Sequence, residues 1–390
     1  MKVLLLTFYY PPDLCAGSFR AAPLVDALVA KGAEVDVITT MPNRYGALRA
    51  EAPALEKDGA VTIRRFALPN HNSGMGDQTR AFAAFARKVW GAIRGQQWDV
   101  VIATSSRLMT ASLGAVVAKR VNAPLYLDIR DLFTDTMDDV LAQSPLRVLI
   151  PAFRILERWA FRQAVRINVV SEGFREHIKD VAPDASIAFF PNGIDDEFLN
   201  ADFNTMPLST RKQVRVLYAG NIGEGQGLHR VLPAFARKMG ARASVRVIGD
   251  GGRMPALREA IKESGVANVE LLPPVPRVDL LAQYQKADIL FLHLNDYAAF
   301  ETVLPSKIFE YAATGKPILA GVGGYAARFL EENVPGAAVF SPCDADAMVE
   351  SCEKLIAMGD IPVRDKFVQK FTRRNIMLEL ADDIMKTCIT

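Results

Sequence analysis

Two short stretches of this chain carry residue types at spacings that suit phosphate and sugar chemistry. In Leu304-Pro305-Ser306-Lys307-Ile308-Phe309-Glu310-Tyr311, Pro305 suits a first helical turn, and Gly315 ahead of Pro317 suits the stop. Unpaired N–H groups near Ser306 and Lys307 would form an anion site, and Lys307 and Glu310, three residues apart, would share a face. A cation at a helix start with a carboxylate one turn on can hold a phosphate and a sugar diol together. An ordinary capped surface helix would carry the same pair, so the pair alone decides nothing. The second stretch, Asp128-Ile129-Arg130-Asp131, falls at a predicted strand end. A carboxylate there could orient a hydroxyl or take its proton, and an arginine could grip phosphate with two N–H groups. An Asp–Arg pair that merely closes the strand fits equally well.

Glycine-bearing turns accompany both stretches. Ala16-Gly17-Ser18, Tyr218-Ala219-Gly220-Asn221-Ile222-Gly223 and Ile248-Gly249-Asp250-Gly251-Gly252 each follow a predicted strand, where a missing Cβ lets backbone approach a ligand. None is a dinucleotide fingerprint or a phosphate-binding P-loop. Weak singly, they point to a nucleotide when they recur at successive strand ends of one sheet. Asp344-Ala345-Asp346 has the look of a metal motif but opens a predicted helix, where Asp serves as an N-cap, so no metal is expected. His293, inside an apolar run, reads as a core residue with satisfied nitrogens.

The elements that must position these residues alternate strand and helix throughout. Predicted strands are Val3–Tyr9, Glu34–Thr39, Val61–Phe66, Val100–Ala103, Pro124–Asp128, Arg166–Val170 and Ile187–Phe190, with a first helix over Arg20–Lys31. A polar stretch without apolar period, Asn200–Thr210, is the expected linker. A second series follows: Arg215–Ala219, Ser244–Ile248, Val269–Leu272, Ile289–Leu292 and Ile318–Gly321, then a last helix around Asn375–Lys386 that could pack anywhere. This is the pattern of two doubly wound parallel sheets, whose ligands bind at the carboxyl ends of the strands.

Composition agrees. A chain of 390 residues, half of them apolar, is long for one core and can build two. Its net charge of +2 argues against nucleic-acid binding through bulk charge. The four cysteines lack metal-site spacing, which fits a reducing cytoplasm, and Met1–Leu6 reads as a buried strand rather than a leader. No run approaches the about 18 apolar residues of a spanning helix. Over Gln78–Arg94, Arg80, Arg87 and Arg94 oppose Phe82, Phe85, Val89 and Ile93, with Trp90 at the edge. Such a helix can rest on an anionic bilayer or cover the first sheet, and the sheet is the favoured reading. Arg154, Arg158, Arg162 and Arg166 form a second basic row and strengthen the membrane idea modestly.

Taken in order, Phe8-Tyr9-Tyr10-Pro11-Pro12 with Gly17, Asp128–Phe133, Phe190-Pro191-Asn192-Gly193-Ile194-Asp195, Tyr218–Gly223, Gly249-Asp250-Gly251 and Pro305–Tyr311 make a recognisable set. With them the sequence resembles the GT-B glycosyltransferases of family four, particularly bacterial enzymes that build surface polysaccharides from nucleotide-activated amino sugars. The resemblance covers essentially the whole chain. It implies an α/β fold of two Rossmann-like doubly wound parallel-sheet domains facing a cleft. Residues 1–199, with helix 373–390 crossing back, would be the acceptor side, and 208–372 the donor side.

It further implies a retaining, metal-independent hexosyltransferase without cofactor, the nucleotide sugar being a substrate, here UDP with an N-acetylated amino sugar. Glu310 would bind the ribose hydroxyls. Lys307, the helix entrance at Leu304 and Ser306, and the Gly17-Ser18 turn would cradle the diphosphate. Gly220, Asn221 and Gln226 would line the donor loop, and Val275 would offer main chain to the base. Asp131, with Arg130, would sit where the acceptor meets the sugar, so Asp131, Arg130 and Lys307 form the expected catalytic set. The acceptor would be a glycan or a polyprenyl-diphosphate-linked glycan, with no nucleic-acid partner. The location would be the cytoplasm, extending to a peripheral seat on the inner face of the membrane through residues 78–94.

Two departures stand out. The first glutamate of the family's E-x7-E motif falls on Thr302, with Glu301 one place off. Asn221 and Gln226 stand where many members have an arginine and a lysine, which shifts phosphate charge onto Lys307 and Arg130. A nucleotide-sugar 2-epimerase of the same fold, which would be expected to carry a fuller acid–base set than Asp128 and Asp131, and an inactive partner subunit with a degraded donor site are the competing readings.

Overall fold

The computed structural model describes residues 1–13, 15–43, 51–69, 75–105, 108–141, 144–203, 207–359 and 361–387. Val3-Leu4-Leu5-Leu6 shows no polar alternation, as befits a strand covered on both faces, and in β1 (Lys2–Leu6) these four residues are fully buried. Around β1 is built the first of two units, Met1–Asn192 with Arg373–Thr390. Its elements continue with α1 (Ala16–Ala30), β2 (Glu34–Thr40), β3 (Leu55–Asp58), β4 (Val61–Phe66), α2 (Met75–Ala92) and β5 (Val100–Ser105). Then come α3 (Leu108–Val121), β6 (Leu125–Ile129), α4 (Phe133–Val140), α5 (Ile150–Arg162), β7 (Ala164–Val169), α6 (Arg175–Val181) and β8 (Ser186–Phe189). Among the described residues the sheet has eight strands in the order β3-β4-β2-β1-β5-β6-β7-β8, parallel except where β3 runs against β4. The order reverses at β1, between β2 and β5, so the loops after β1 and β6 emerge at the end where such sheets bind ligands.

The second unit, Gly193–Thr372, has its own core and its own sheet. It comprises α7 (Asp196–Leu199), β9 (Val214–Ala219), α8 (Leu228–Met239), β10 (Ala243–Ile248), α9 (Met254–Ser264), β11 (Val269–Leu272) and α10 (Arg277–Lys286). There follow β12 (Ile289–His293), α11 (Lys307–Ala313), β13 (Ile318–Gly321), α12 (Gly324–Asn333), β14 (Ala337–Phe340), α13 (Ala345–Ala357) and α14 (Asp365–Lys370). Its strand order, β11-β10-β9-β12-β13-β14, switches between β9 and β12. The turns after β9 and β10 interlock there: a Cβ on Gly249 would lie 1.8 Å from the Gly220 carbonyl oxygen, and one on Gly251 2.5 Å from that of Ile222. Gly220 and Gly249 hold φ of +154° and +153°, so these positions require glycine for conformation as well as for space.

The chain ends in α15 (Arg373–Lys386), which lies with the first unit. Asp383 there accepts hydrogen bonds from the Tyr126 hydroxyl at 2.7 Å and from Arg166 Nε and Nη2 at 2.8 and 2.5 Å, and Lys31 donates to Asp382 at 2.8 Å.

Several expectations need correction. The units divide at Asn192/Gly193, ahead of the polar 200–210 stretch, of which 204–206 lie outside the described residues. Residues 193–199 belong to the second unit because Ile194 N–H donates to the Phe371 carbonyl at 2.8 Å and Arg277 binds the side chains of Asp195 and Glu197. The first helix begins at Ala16 rather than Arg20. Strands β3 and β14 were not expected. On α2 the apolar face points inward: Phe82, Phe85, Val89 and Ile93 are buried, and Phe8, Phe66, Phe82 and Phe85 form a ring cluster. Residues 78–94 thus spend their main apolar face on the first unit's core, and Trp90, at 39% exposure, stays outside with Arg80, Arg87 and Arg94. The second arginine row is broken too, since Arg166 stands on β7 and is taken by Asp383.

Candidate active site

In the second unit the turn after β9 and helix α11 carry the expected donor residues. The stop signal at Gly315 acts as anticipated, with φ of +69°, and α11 is a seven-residue helix. Lys307 lies across the glycine turn: its Nζ and Cε are 2.4 and 2.6 Å from where a Gly220 Cβ would stand. Burial pushes the Lys307 ammonium below its ordinary pKa, Glu310 one turn on opposes the shift, and Arg277 adds to it. Arg277 was not singled out in the sequence, because a lone arginine after a loop proline matches no motif. Burial works against its charge, but Glu310, Asp195 and Glu197 outweigh it and raise its pKa. Glu310 thus faces two cations, Lys307 and Arg277.

The remaining expected donor residues divide. Ser306 caps α11 without a side-chain cap bond, while Leu304 is buried at 2% exposure, so Leu304 has only main chain to offer a ligand. Val275 is half-buried in the loop between β11 and α10. Gln226 Oε1 accepts from Asn221 Nδ2 at 2.8 Å and from Gly223 N–H at 3.1 Å, and the Tyr218 hydroxyl donates to the Asn221 carbonyl at 2.6 Å. The Asn–Gln pair therefore shapes the loop and brings no charge to it. Thr302, standing at the first E-x7-E position, turns its hydroxyl onto the Ala299 carbonyl at 3.0 Å, and Glu301 is exposed.

His293 is a core residue, as anticipated. Its Nδ1 meets the Gln226 carbonyl at 2.7 Å and its Nε2 accepts from Cys343 N–H at 2.9 Å, so the proton sits on Nδ1. Burial pushes its pKa down to about 4, which keeps the ring neutral. Asp344 N-caps α13 through Asp346 and Ala347 N–H, and Asp346 pairs with Lys238. Among the described residues no three His, Cys, Asp or Glu side chains converge as a metal site would require.

The first unit brings Gly17, Arg130 and Asp131 together and withdraws Ser18 and Asp128. A Cβ on Gly17 would meet Arg130 Nη1 at 3.1 Å, so the guanidinium lies against the start of α1. Arg130 Nε is buried and has no hydrogen-bond partner, and burial pushes its pKa down to about 10. Burial raises the half-buried Asp131 to about 6, against the opposing Leu132 N–H, Arg130 and Thr136 hydroxyl. Helix α4, which follows, is pinned from behind. The Thr134 hydroxyl donates to buried Glu157 at 2.8 Å, and His177 meets Glu157 at 3.0 Å and Asp135 at 3.2 Å. Those two carboxylates overcome burial and raise His177 to about 10.

Ser18 is fully buried, so its side chain cannot serve a ligand. Asp128, at 1% exposure, accepts from Arg20 Nε and Nη2 at 2.9 Å each and from Asn168 Nδ2 at 2.7 Å. Arg20 also donates to the carbonyls of Phe190 and Pro191 at 2.9 and 2.8 Å. Burial raises the Asp128 pKa, yet Arg20 and Asn168 more than reverse this and hold it low. The Asp–Arg pairing considered at this strand end is thus real, but its arginine is Arg20.

Two doubly wound α/β units, each placing glycine turns and charged side chains at the carboxyl ends of its strands, define a two-domain α/β architecture. The chain belongs to the glycosyltransferases of GT-B fold. Residues 17–193 match the family described as Glycosyl transferase 4-like domain and residues 206–374 that described as Glycosyl transferases group 1. It is 26% identical to a protein of Escherichia coli K12 named for colanic acid biosynthesis, the glycosyl transferase WcaI, over 98% of this chain and all of that one. Its fold is similar to sucrose-phosphate synthase of Thermosynechococcus elongatus, with TM-score 0.75 at 14% identity over 99% and 98% of the two chains. It is also similar to Anabaena HepE solved with UDP and glucose, with TM-score 0.68 at 17% identity over 99% of each chain.

Proposed function

We propose that this glycosyltransferase moves a sugar, an N-acetylated amino sugar carried on UDP, to a hydroxyl of a glycan or lipid-linked acceptor in surface-polysaccharide synthesis, with retention and without a metal. The observation that carries the reading is Lys307 lying across Gly220 with Glu310 one turn on. The arrangement suits a diphosphate held by an ammonium and close main chain, and a ribose diol held by a carboxylate. The name of the WcaI relative supports the polysaccharide role, and the UDP in the HepE structure supports the nucleotide.

In the proposed reaction the sugar–phosphate bond breaks as positive charge grows on the ring, and Lys307 receives the charge of the departing diphosphate. Arg130, with its unpartnered Nε, is the first unit's candidate for added phosphate charge. The acceptor hydroxyl, oriented by Asp131, attacks the same face and passes its proton to the leaving phosphate. Asp128 is held by Arg20, which thins further an acid–base set already short for an epimerase and favours transfer. Among the described residues no helix is long and apolar enough to cross a membrane, and a cytoplasmic setting is part of the proposal.

Two substitutions separate the roles. Glu310→Ala should weaken UDP binding in calorimetry about ten- to a hundredfold, the worth of one or two hydrogen bonds to a charged group, while turnover at saturating donor changes little. Unchanged donor affinity would end the ribose assignment. For Asp131, raised to about 6, the sign runs from ionised above that pH to protonated below it. Turnover should therefore fall as pH drops through about 6. Asp131→Asn should lower turnover about a hundredfold and flatten that limb, with donor affinity kept. An acid limb that survives in the variant belongs to another group. Thermal stabilisation by UDP that ignores a chelator would support the metal-free reading; stabilisation that the chelator abolishes would refute it.

A further inference from the structure

Among the described residues of the first unit, five of the ten exposed large apolar side chains fall in one short stretch, while Leu55, Trp90, Met109, Val116 and Val165 stand elsewhere. Leu146, Val148, Leu149, Ile155 and Trp159 are 40%, 78%, 41%, 70% and 36% exposed, and all lie on the 3-10 turn Pro145–Leu149 or on α5, which continues it. The inner face of α5 is already committed: Ile150, Glu157, Ala160 and Phe161 are buried. At about 100° per residue, Ile155 and Trp159 stand one turn apart on the opposite, outer face, and Arg154, Arg158 and Arg162 run along its flank. Arg147 is exposed in the turn ahead. The acid within α5, Glu157, is buried under Thr134 and His177, so the charges this helix shows outward are arginines. Arg154 is engaged by Asp138, and Arg162 donates to the Val181 carbonyl at 3.0 Å, which leaves Arg147 and Arg158 as the outward cations of the patch.

Exposed aliphatic residues and a tryptophan flanked by arginines match the headgroup boundary of an anionic bilayer, where apolar tips enter and cations meet phosphates. A second copy of this chain fits poorly, because a two-fold contact would set arginine against arginine. We propose that the surface from Leu146 to Trp159 docks on anionic phospholipid, with Val148, Ile155 and Trp159 entering the boundary and Arg147 and Arg158 pairing with lipid phosphate. Helix α2 is left out of the proposal, since the large apolar side chain it exposes is Trp90 alone, already covered by the Arg120 guanidinium at 5.8 Å.

The test is flotation of the full chain with phosphatidylcholine vesicles, with and without phosphatidylglycerol. The chain should float with the anionic vesicles, less so as salt rises, and its tryptophan emission should shift to the blue, a shift lost in Trp159→Phe. Ile155→Asp and the pair Arg147→Glu with Arg158→Glu should each weaken vesicle binding about tenfold or more. Arg80→Glu with Arg87→Glu should leave it unchanged. Ile155 is largely exposed, so its variant should melt with the wild type, and equal melting is the control. No binding, equal binding to neutral vesicles, or binding indifferent to Ile155→Asp would overturn the proposal. So would a wild-type dimer in sedimentation that Ile155→Asp converts to monomer, which would make the patch a self-interface.

Discussion

Lys307→Met is expected to lower kcat/KM for glycosyl transfer by about a hundred- to a thousandfold, the usual cost of removing one preorganised donor from a developing anion. The size follows from what the rest of the loop lacks. Where the family resemblance leads one to expect an arginine and a lysine, Asn221 and Gln226 bind each other and bring no charge. Under the proposed function, phosphate charge in this unit would fall on Lys307, with Arg277 nearby but already engaged by Asp195 and Glu197. Arginine should rescue poorly, because Cε and Nζ of the lysine already pass 2.6 and 2.4 Å from the place of a Gly220 Cβ, which leaves no room for a planar fork. Steady-state kinetics decide: a loss of only a few-fold in Lys307→Met would move the diphosphate elsewhere. A melting temperature near the wild type's would show that the defect is chemical.

The second large effect is on stability. Asp128→Ala should cost about 3–5 kcal/mol, because it strands the Arg20 guanidinium in the interior. Both side chains are 1% exposed, so no solvent can take over from the lost carboxylate. Against a typical total of about 5–15 kcal/mol, a loss of this size brings the first unit close to unfolding. Urea titration should show it, and Arg20→Ala with Asp128→Ala should cost less than the sum of the two single changes. Additive costs would mean that the pair is not one interaction. Asp131, three residues on, offers the contrast. Its pKa is raised by burial, so its charge is carried at a cost to folding, and Asp131→Ala should leave stability unharmed.

Local signals in this chain were legible where local chemistry alone decides. Val61–Phe66, Val269–Leu272 and Ile318–Gly321 emerge as strands residue for residue, because short segments rich in β-branched and aliphatic residues and bounded by turn residues favour a strand. The glycines after β9 and β10 mark a close approach, but the approach in the structure is of one turn to the other rather than of backbone to a ligand. By contrast, Leu55-Glu56-Lys57-Asp58 is mostly charged, as suits an edge strand guarded against further pairing, and so reads as loop. Ala337-Ala338-Val339-Phe340 is too short and small to declare itself.

The site was half legible for a related reason. The Lys307–Glu310 spacing is local and readable. The claim of Arg20 on Asp128, across 108 positions, and of Arg277 on Asp195 and Glu197 depend on tertiary placement. The amphipathic pattern of residues 78–94 told which face was apolar but not what would cover it. Sheet and bilayer leave the same periodicity, and only packing separates them.

The return of α15 to the first unit has a consequence for synthesis. Every residue of Gly193–Thr372 leaves the ribosome before Asp383, the residue that Tyr126 and Arg166 need. The second unit thus has its whole sequence while the first still lacks its last helix. During that interval the nascent first unit holds a buried phenol and a cation whose counter-charge has not yet been translated.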